Sequence, residues 1–158
     1  QLYAAAEIDR ALIREAVTYP AIWKHLADDA TPPREEWQPL ESAGALYLGV
    51  FAGDVYLGVF AFYAQNSITT EVHTCLLPVA WGQSIPIAKG AVDWLWTSTA
   101  ICRIITSVPV TNRLALRLAE GVGFKRYGVN ERSWLKDGQI QDQIVLGISK
   151  PENFQPCQ

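Results

Sequence analysis

The chain has 158 residues, 49% of them hydrophobic and only 18% charged, with six Trp, six Tyr and five Phe. So much apolar area excludes a disordered chain and predicts a single domain over residues 1–158 with its own core. Thirteen basic side chains against sixteen acidic ones, with a pI near 5.3, leave no positive excess for a phosphate backbone, which excludes nonspecific nucleic-acid binding.

After an apolar start at residues 2–6, Ile8, Ala11, Leu12 and Ala16 recur at helical spacing, predicting a helix that runs to Thr18 and stops at Pro20. Residues 22–27 read as a second short helix. Residues 28–39, with Pro32, Pro33 and Pro39, read as a loop. Two β-favouring apolar runs, 45–51 and 55–63, are separated by Ala52-Gly53-Asp54 and predict an antiparallel hairpin. A third strand, 68–77, places Thr69, Glu71, His73, Cys75 and Leu77 on one face and ends at Pro78.

Beyond Trp81-Gly82-Gln83-Ser84, a stripe of Ala88, Ala91, Val92, Leu95, Trp96 and Thr99 predicts a helix of three or four turns. Residues 103–108 read as a strand. Residues 112–122 read as a helix with Leu114, Ala115, Leu118 and Val122 inward and Gly123 closing it. Strands over 124–135 and 139–148 follow, joined by Lys136-Asp137-Gly138. Cys75, Cys102 and Cys157 form no CxxC pair and read as buried free thiols, which suits a reducing compartment. No window approaches the ~18 apolar residues of a membrane span and no signal sequence opens the chain, so a cytoplasmic protein without a membrane partner is expected. The first residue is Gln and no Met occurs, as in a chain with a trimmed start.

The resulting order, β α α β β β α β α β β, is an α/β arrangement around a mixed, mostly antiparallel sheet of six to seven strands flanked by helices. Within it, residues 108–124 have Asn112 opening a helix, Ala115 three positions on, and Gly123-Phe124 at its end. This segment resembles the C-terminal motif of the GNAT N-acetyltransferases, and the likeness extends over about residues 45–147. The chain also resembles small GNAT-like proteins encoded by bacteriophages.

The resemblance implies an acyltransferase that moves an acetyl group from acetyl-CoA to a primary amine: a small molecule, a peptide N-terminus or a lysine. It leaves room for a homodimer. In the family a turn of the form Arg/Gln-x-x-Gly-x-Gly/Ala cradles the pyrophosphate with bare amides ahead of a helix. The corresponding stretch 80–86 keeps Gly82, has Ser84 at the second small position and Trp81 near the usual basic one, and contains Pro86. Leu76, Leu77, Val79, Gly82, Gln83, Ser84, Ile85 and Asn112 are the implied coenzyme-binding residues. An ordinary turn with Ser84 as helix N-cap is the competing reading.

Glu71 and His73 share a strand face about 7 Å apart and are the candidate bases, because a polar pair on a central strand is costly to bury without a purpose. Their alternative is structural, with His73 satisfied in the core and Glu71 reaching solvent. The Tyr that often serves the family as general acid falls at Ala119, leaving Tyr63 or Tyr127 as replacements. Arg113 and Arg117 read as solvated, and no metal site is expected. The altered turn and missing Tyr also motivate a second reading, a catalytically silent GNAT-fold protein with a binding or assembly role.

Overall fold

The computed structural model describes residues 8–154 with their side chains and residues 2–5 as backbone. Cys157 lies outside the described residues. Two tight turns set the antiparallel pairing. Gly53, at φ 58°, turns β2 (Ala45–Ala52) onto β3 (Val55–Ala64). Asp137 and Gly138, at φ 52° and 73°, turn β6 (Lys125–Lys136) onto β7 (Gln139–Ser149), the two-residue geometry that Asp-Gly favours.

With β1 (Leu2–Ala5), β4 (Thr69–Leu76) and β5 (Arg103–Pro109), these strands form one seven-stranded sheet of order β1-β2-β3-β4-β5-β7-β6. Every neighbouring pair is antiparallel except β4 and β5.

Side-chain alternation sends each strand's apolar residues to two cores. On one face Leu48, Phe60, Val72, Leu76, Ile104 and Leu146 pack under α3 (Ser84–Ser98) and α4 (Arg113–Val122). On the other, Tyr47, Val59, Ala61, Cys75 and Leu77 pack under α1 (Arg10–Val17), with Ile22, Trp23 and Leu26 of α2 (Pro20–Leu26) against them. Burial alone on this scale supplies the main driving force for both layers.

Helix ends follow local chemistry. Asp9 caps α1 by accepting from the Ala11 amide at 2.8 Å, and Asn112 caps α4 by accepting from Ala115 at 3.2 Å. Gly123 closes α4 at φ 115°, in the left-handed region a side chain resists.

Several expectations need correction. Pro20 does not merely stop α1, which ends at Val17; it occupies the first position of α2, where its missing N–H costs nothing. Leu114 does not point inward. It is 74% exposed, and Leu116 takes the buried position, because α4 turns its first residues toward a cleft instead of the core. Cys75 is buried, but Cys102 precedes β5 and is exposed. Ser84 is not the cap of α3. Gln83 holds that position without a side-chain bond, and the Ser84 hydroxyl instead donates back to the Trp81 carbonyl at 3.0 Å.

Candidate active site

The parallel pair β4 and β5 is joined only at its start, through Thr69↔Arg103, Thr70↔Ile104 and Glu71↔Ile105. Beyond Glu71 the strands splay. Along a strand, the main-chain groups of alternate residues face opposite edges. The Leu77 amide bonds to Leu57 O at 2.9 Å on the β3 side, so Val72, Thr74 and Leu76 face the gap. There the Thr106 hydroxyl donates to the Val72 carbonyl at 3.2 Å, and the Trp81 indole Nε1 donates to the Leu76 carbonyl at 2.8 Å. Between them, the amide and carbonyl of Thr74 lie past the last β5 pairing.

The gap opens into a cleft of about 850 Å³. Its walls include Thr74, Trp81, Gly82, Ser84 and Ile85 on one side and Asn112, Leu114 and Arg117 of α4 on the other. At the cleft's end residues 78–83 wind into a 3-10 helix, whose i→i+3 bonding spends amides internally, as Ala80 does on Leu77 O. That winding replaces the open loop the family pattern implies. Ser84 and Ile85 stand in the first turn of the 15-residue α3, where amides have no partner within the α-helix itself, and Pro86 contributes none. Ile85 is pressed against Gly121, where an added Cβ would come within 2.7 Å of its Cδ1; this close approach holds the helix start beside α4.

The other implied coenzyme residues differ in what they offer. Val79 is 64% exposed and Gln83 caps α3 through its backbone position, but neither lines the cleft; Gly82 does, with nothing within 4 Å of where a Cβ would stand. Leu77 turns its amide to β3, and the Leu76 carbonyl is occupied by Trp81. Asn112 lines the cleft while its side chain serves as the α4 cap.

On the opposite face, Glu71 and His73 meet. His73 Nε2 lies 2.9 Å from Glu71 Oε1, with both side chains about a third exposed at 32% and 28%. The hydrogen bond from His73 holds the Glu71 carboxyl below its ordinary value, outweighing burial, which pushes it up. Only a protonated nitrogen can donate to a carboxylate, so Nε2 carries hydrogen and Nδ1 is the nitrogen left to accept a proton. The Tyr63 ring stands edge-on to His73 at 5.6 Å, but its hydroxyl is 3.3 Å from that of Tyr47, and burial raises its pKa. Tyr127 lies away from both, under the Arg103 guanidinium at 5.2 Å.

A second cavity, of about 170 Å³, lies beneath α2 and the loop after it, walled by Trp23, Trp37, Thr31, Tyr63 and Cys75. His73 lines this cavity and the large cleft alike.

No family model and no curated protein matches the sequence. Solved structures do match. A spermidine N-acetyltransferase from Vibrio cholerae, in complex with CoA and spermine, superposes with a TM-score of 0.78 at 20% identity, over 94% of this chain and 95% of that one. The fold is that of the GNAT N-acetyltransferases. RimJ of Mycobacterium smegmatis, in complex with CoA-disulfide, shares it with a TM-score of 0.61 at 17% identity, over 71% of this chain and 56% of that one. The mixed seven-stranded sheet, the splay and the placement of α3 and α4 are therefore those of the GNAT fold.

Three arrangements were not readable from the sequence, although Trp81, Trp23, Trp37 and Tyr63 stand out in it by type and place: the Trp81 indole folded onto Leu76, Arg117 on the cleft wall, and the joining of Trp23, Trp37 and Tyr63 in one aromatic box. Each depends on contacts between elements distant in the chain. Arg117, expected as a solvated side chain, is indeed exposed, but it faces the cleft.

Proposed function

We propose that the chain is an acetyl-CoA-dependent N-acetyltransferase acting on a primary amine. The observation that carries this reading is the position of His73, paired with Glu71, which with Leu26 lines both the splayed-strand cleft and the aromatic cavity.

The residues fit the coenzyme on three counts. Thr74 offers an amide and a carbonyl at the splay for the amide groups of a pantetheine arm. The start of α3 at Ser84 and Ile85, the positive end of the helix, suits a diphosphate. Arg117 and Lys24 bring positive charge to the cleft lining. When bound, acetyl-CoA supplies a thioester whose C–S bond is exchanged for a C–N bond to the amine.

The chain's own part is to place the amine and take its proton. His73 accepts that proton at Nδ1, and Glu71, holding Nε2–H, fixes the ring's orientation and stabilises the imidazolium that forms. This division of labour has the logic of a histidine oriented by a carboxylate in a hydrolase triad. Leu76 borders the arm, and Gly82 leaves room for it.

One observation favours the second reading, a silent binding protein: the Trp81 indole holds a carbonyl at the mouth of the splay. The two readings separate in a single assay series with acetyl-CoA and a panel of amines. The transferase reading expects His73→Ala to lower kcat/KM by about 10²–10⁴ fold, and Glu71→Gln to lower it less. Unchanged turnover in both variants would rule out this pair, and no turnover by the unaltered chain with any amine would favour the silent protein.

A further inference from the structure

The aromatic cavity that shares His73 with the coenzyme cleft has a chemistry of its own. Its volume of about 170 Å³ is close to that of an apolar cavity that holds one benzene ring, about 150 Å³. Trp23 and Trp37 stand edge to face at 6.4 Å, and Tyr63 and His73 do so at 5.6 Å, so the walls present both ring faces and ring edges to an occupant.

The hydroxyls in those walls are already engaged. The Thr31 hydroxyl donates to Asp28 Oδ1 at 2.9 Å and accepts from the Asp28 amide at 3.0 Å. The Tyr63 hydroxyl pairs with Tyr47, and the Cys75 thiol is fully buried and neutral, its pKa pushed up to about 12. No carboxylate is among the lining residues described. Asp28, next to the walls, has its Oδ1 taken up by the Thr31 hydroxyl and the Ala30 amide, and Glu71 lies beyond His73.

We infer that this cavity is the acceptor subsite and selects an arylalkyl monoamine, a benzene-sized apolar body carrying a single amine directed at the Glu71–His73 pair. The inference rests on the transferase reading and narrows its substrate class. A polyamine fits poorly for a physical reason. Its second ammonium would enter an apolar box with no carboxylate in its walls, and an unpaired buried charge is expensive. One positive end can be met by Glu71 and by the ring faces, but two cannot.

The test is calorimetric, with phenethylamine and spermidine titrated separately into the full chain, each with and without saturating CoA. Phenethylamine is expected to bind at least tenfold more tightly than spermidine. Trp37→Ala, which changes a half-buried loop residue, is expected to weaken phenethylamine at least tenfold while leaving CoA affinity unchanged. If Trp37→Ala unfolds, as circular dichroism would show, Trp23→Leu serves the same purpose. Spermidine binding as tightly as phenethylamine, or a Trp variant that folds and binds phenethylamine normally, would overturn the inference. CoA titrated alone reports on the transferase reading separately. CoA binding without the arylalkylamine preference removes only the substrate assignment, whereas phenethylamine binding without CoA binding removes only the transferase.

Discussion

Glu71 and His73 show how a shared strand face becomes a chemical unit. At alternate positions of β4 they are one pleat apart, and their side chains close that distance to a 2.9 Å bond. Because this bond favours the charged carboxylate, the folded pKa of Glu71 lies below its ordinary 4.5. The bond therefore contributes fully above pH 4.5 and is lost as pH falls through the depressed folded value. Glu71→Gln should thus lose about 1–2 kcal/mol of unfolding free energy at pH 7, with the gap to the unaltered chain narrowing as pH falls below the ordinary 4.5. Denaturant melts of both proteins from pH 7 to 3 check this, and a gap independent of pH would mean that charge plays no part. The pair's existence was legible from residue type and spacing. Its convergence was not, because two polar side chains on one face can equally well diverge to solvent. Likewise Leu114 reads inward by apolar type, yet only the docking of α4 beside the cleft decides that Leu116 is buried in its place.

At the scale of elements, β3 and the end of β4 govern the splay. Gly58 sits at φ 133° beside the register shift at Val50/Phe51, and a Cβ there would collide with the Cys75 carbonyl oxygen and stand 2.8 Å from Leu76 Cα. Only a bare backbone allows β3 to hug the last residues of β4, which places Leu77 and the 3-10 turn where they are. Gly58→Ala should cost about 2–4 kcal/mol and lower Tm accordingly, whereas Gly53→Ala in the exposed turn, with nothing within 4 Å, should cost about 1 kcal/mol. Equal losses at the two sites would contradict the role given to close approach. A second staple crosses the site. Asp29 accepts from the Asp137 and Gly138 amides at 2.8 and 2.9 Å, and Lys136 Nζ donates to Ala27 O at 2.6 Å. This ties the β6–β7 turn to the loop that roofs the aromatic cavity. The hairpin was readable from Asp137-Gly138 alone, but its docking on Asp29, more than a hundred residues away, left no local mark.

For the whole molecule, the order of strands and helices followed from apolar periodicity and turn residues, since each element must bury one stripe and the Gly and Pro positions limit where it can end. What periodicity could not supply was the space between elements: the gap past Glu71, the cleft beside α4 and the aromatic cavity under α2. Those spaces are where a GNAT-fold protein would work, and their use turns on the coenzyme. Calorimetry with acetyl-CoA on the unaltered chain and on Gly82→Leu is the most direct measurement. Gly82 has open space around it and no positive φ, so the variant should fold while its side chain projects into the cleft. Micromolar binding by the unaltered chain that disappears in Gly82→Leu is the predicted result; absence of heat at millimolar acetyl-CoA, or binding indifferent to the substitution, would contradict it.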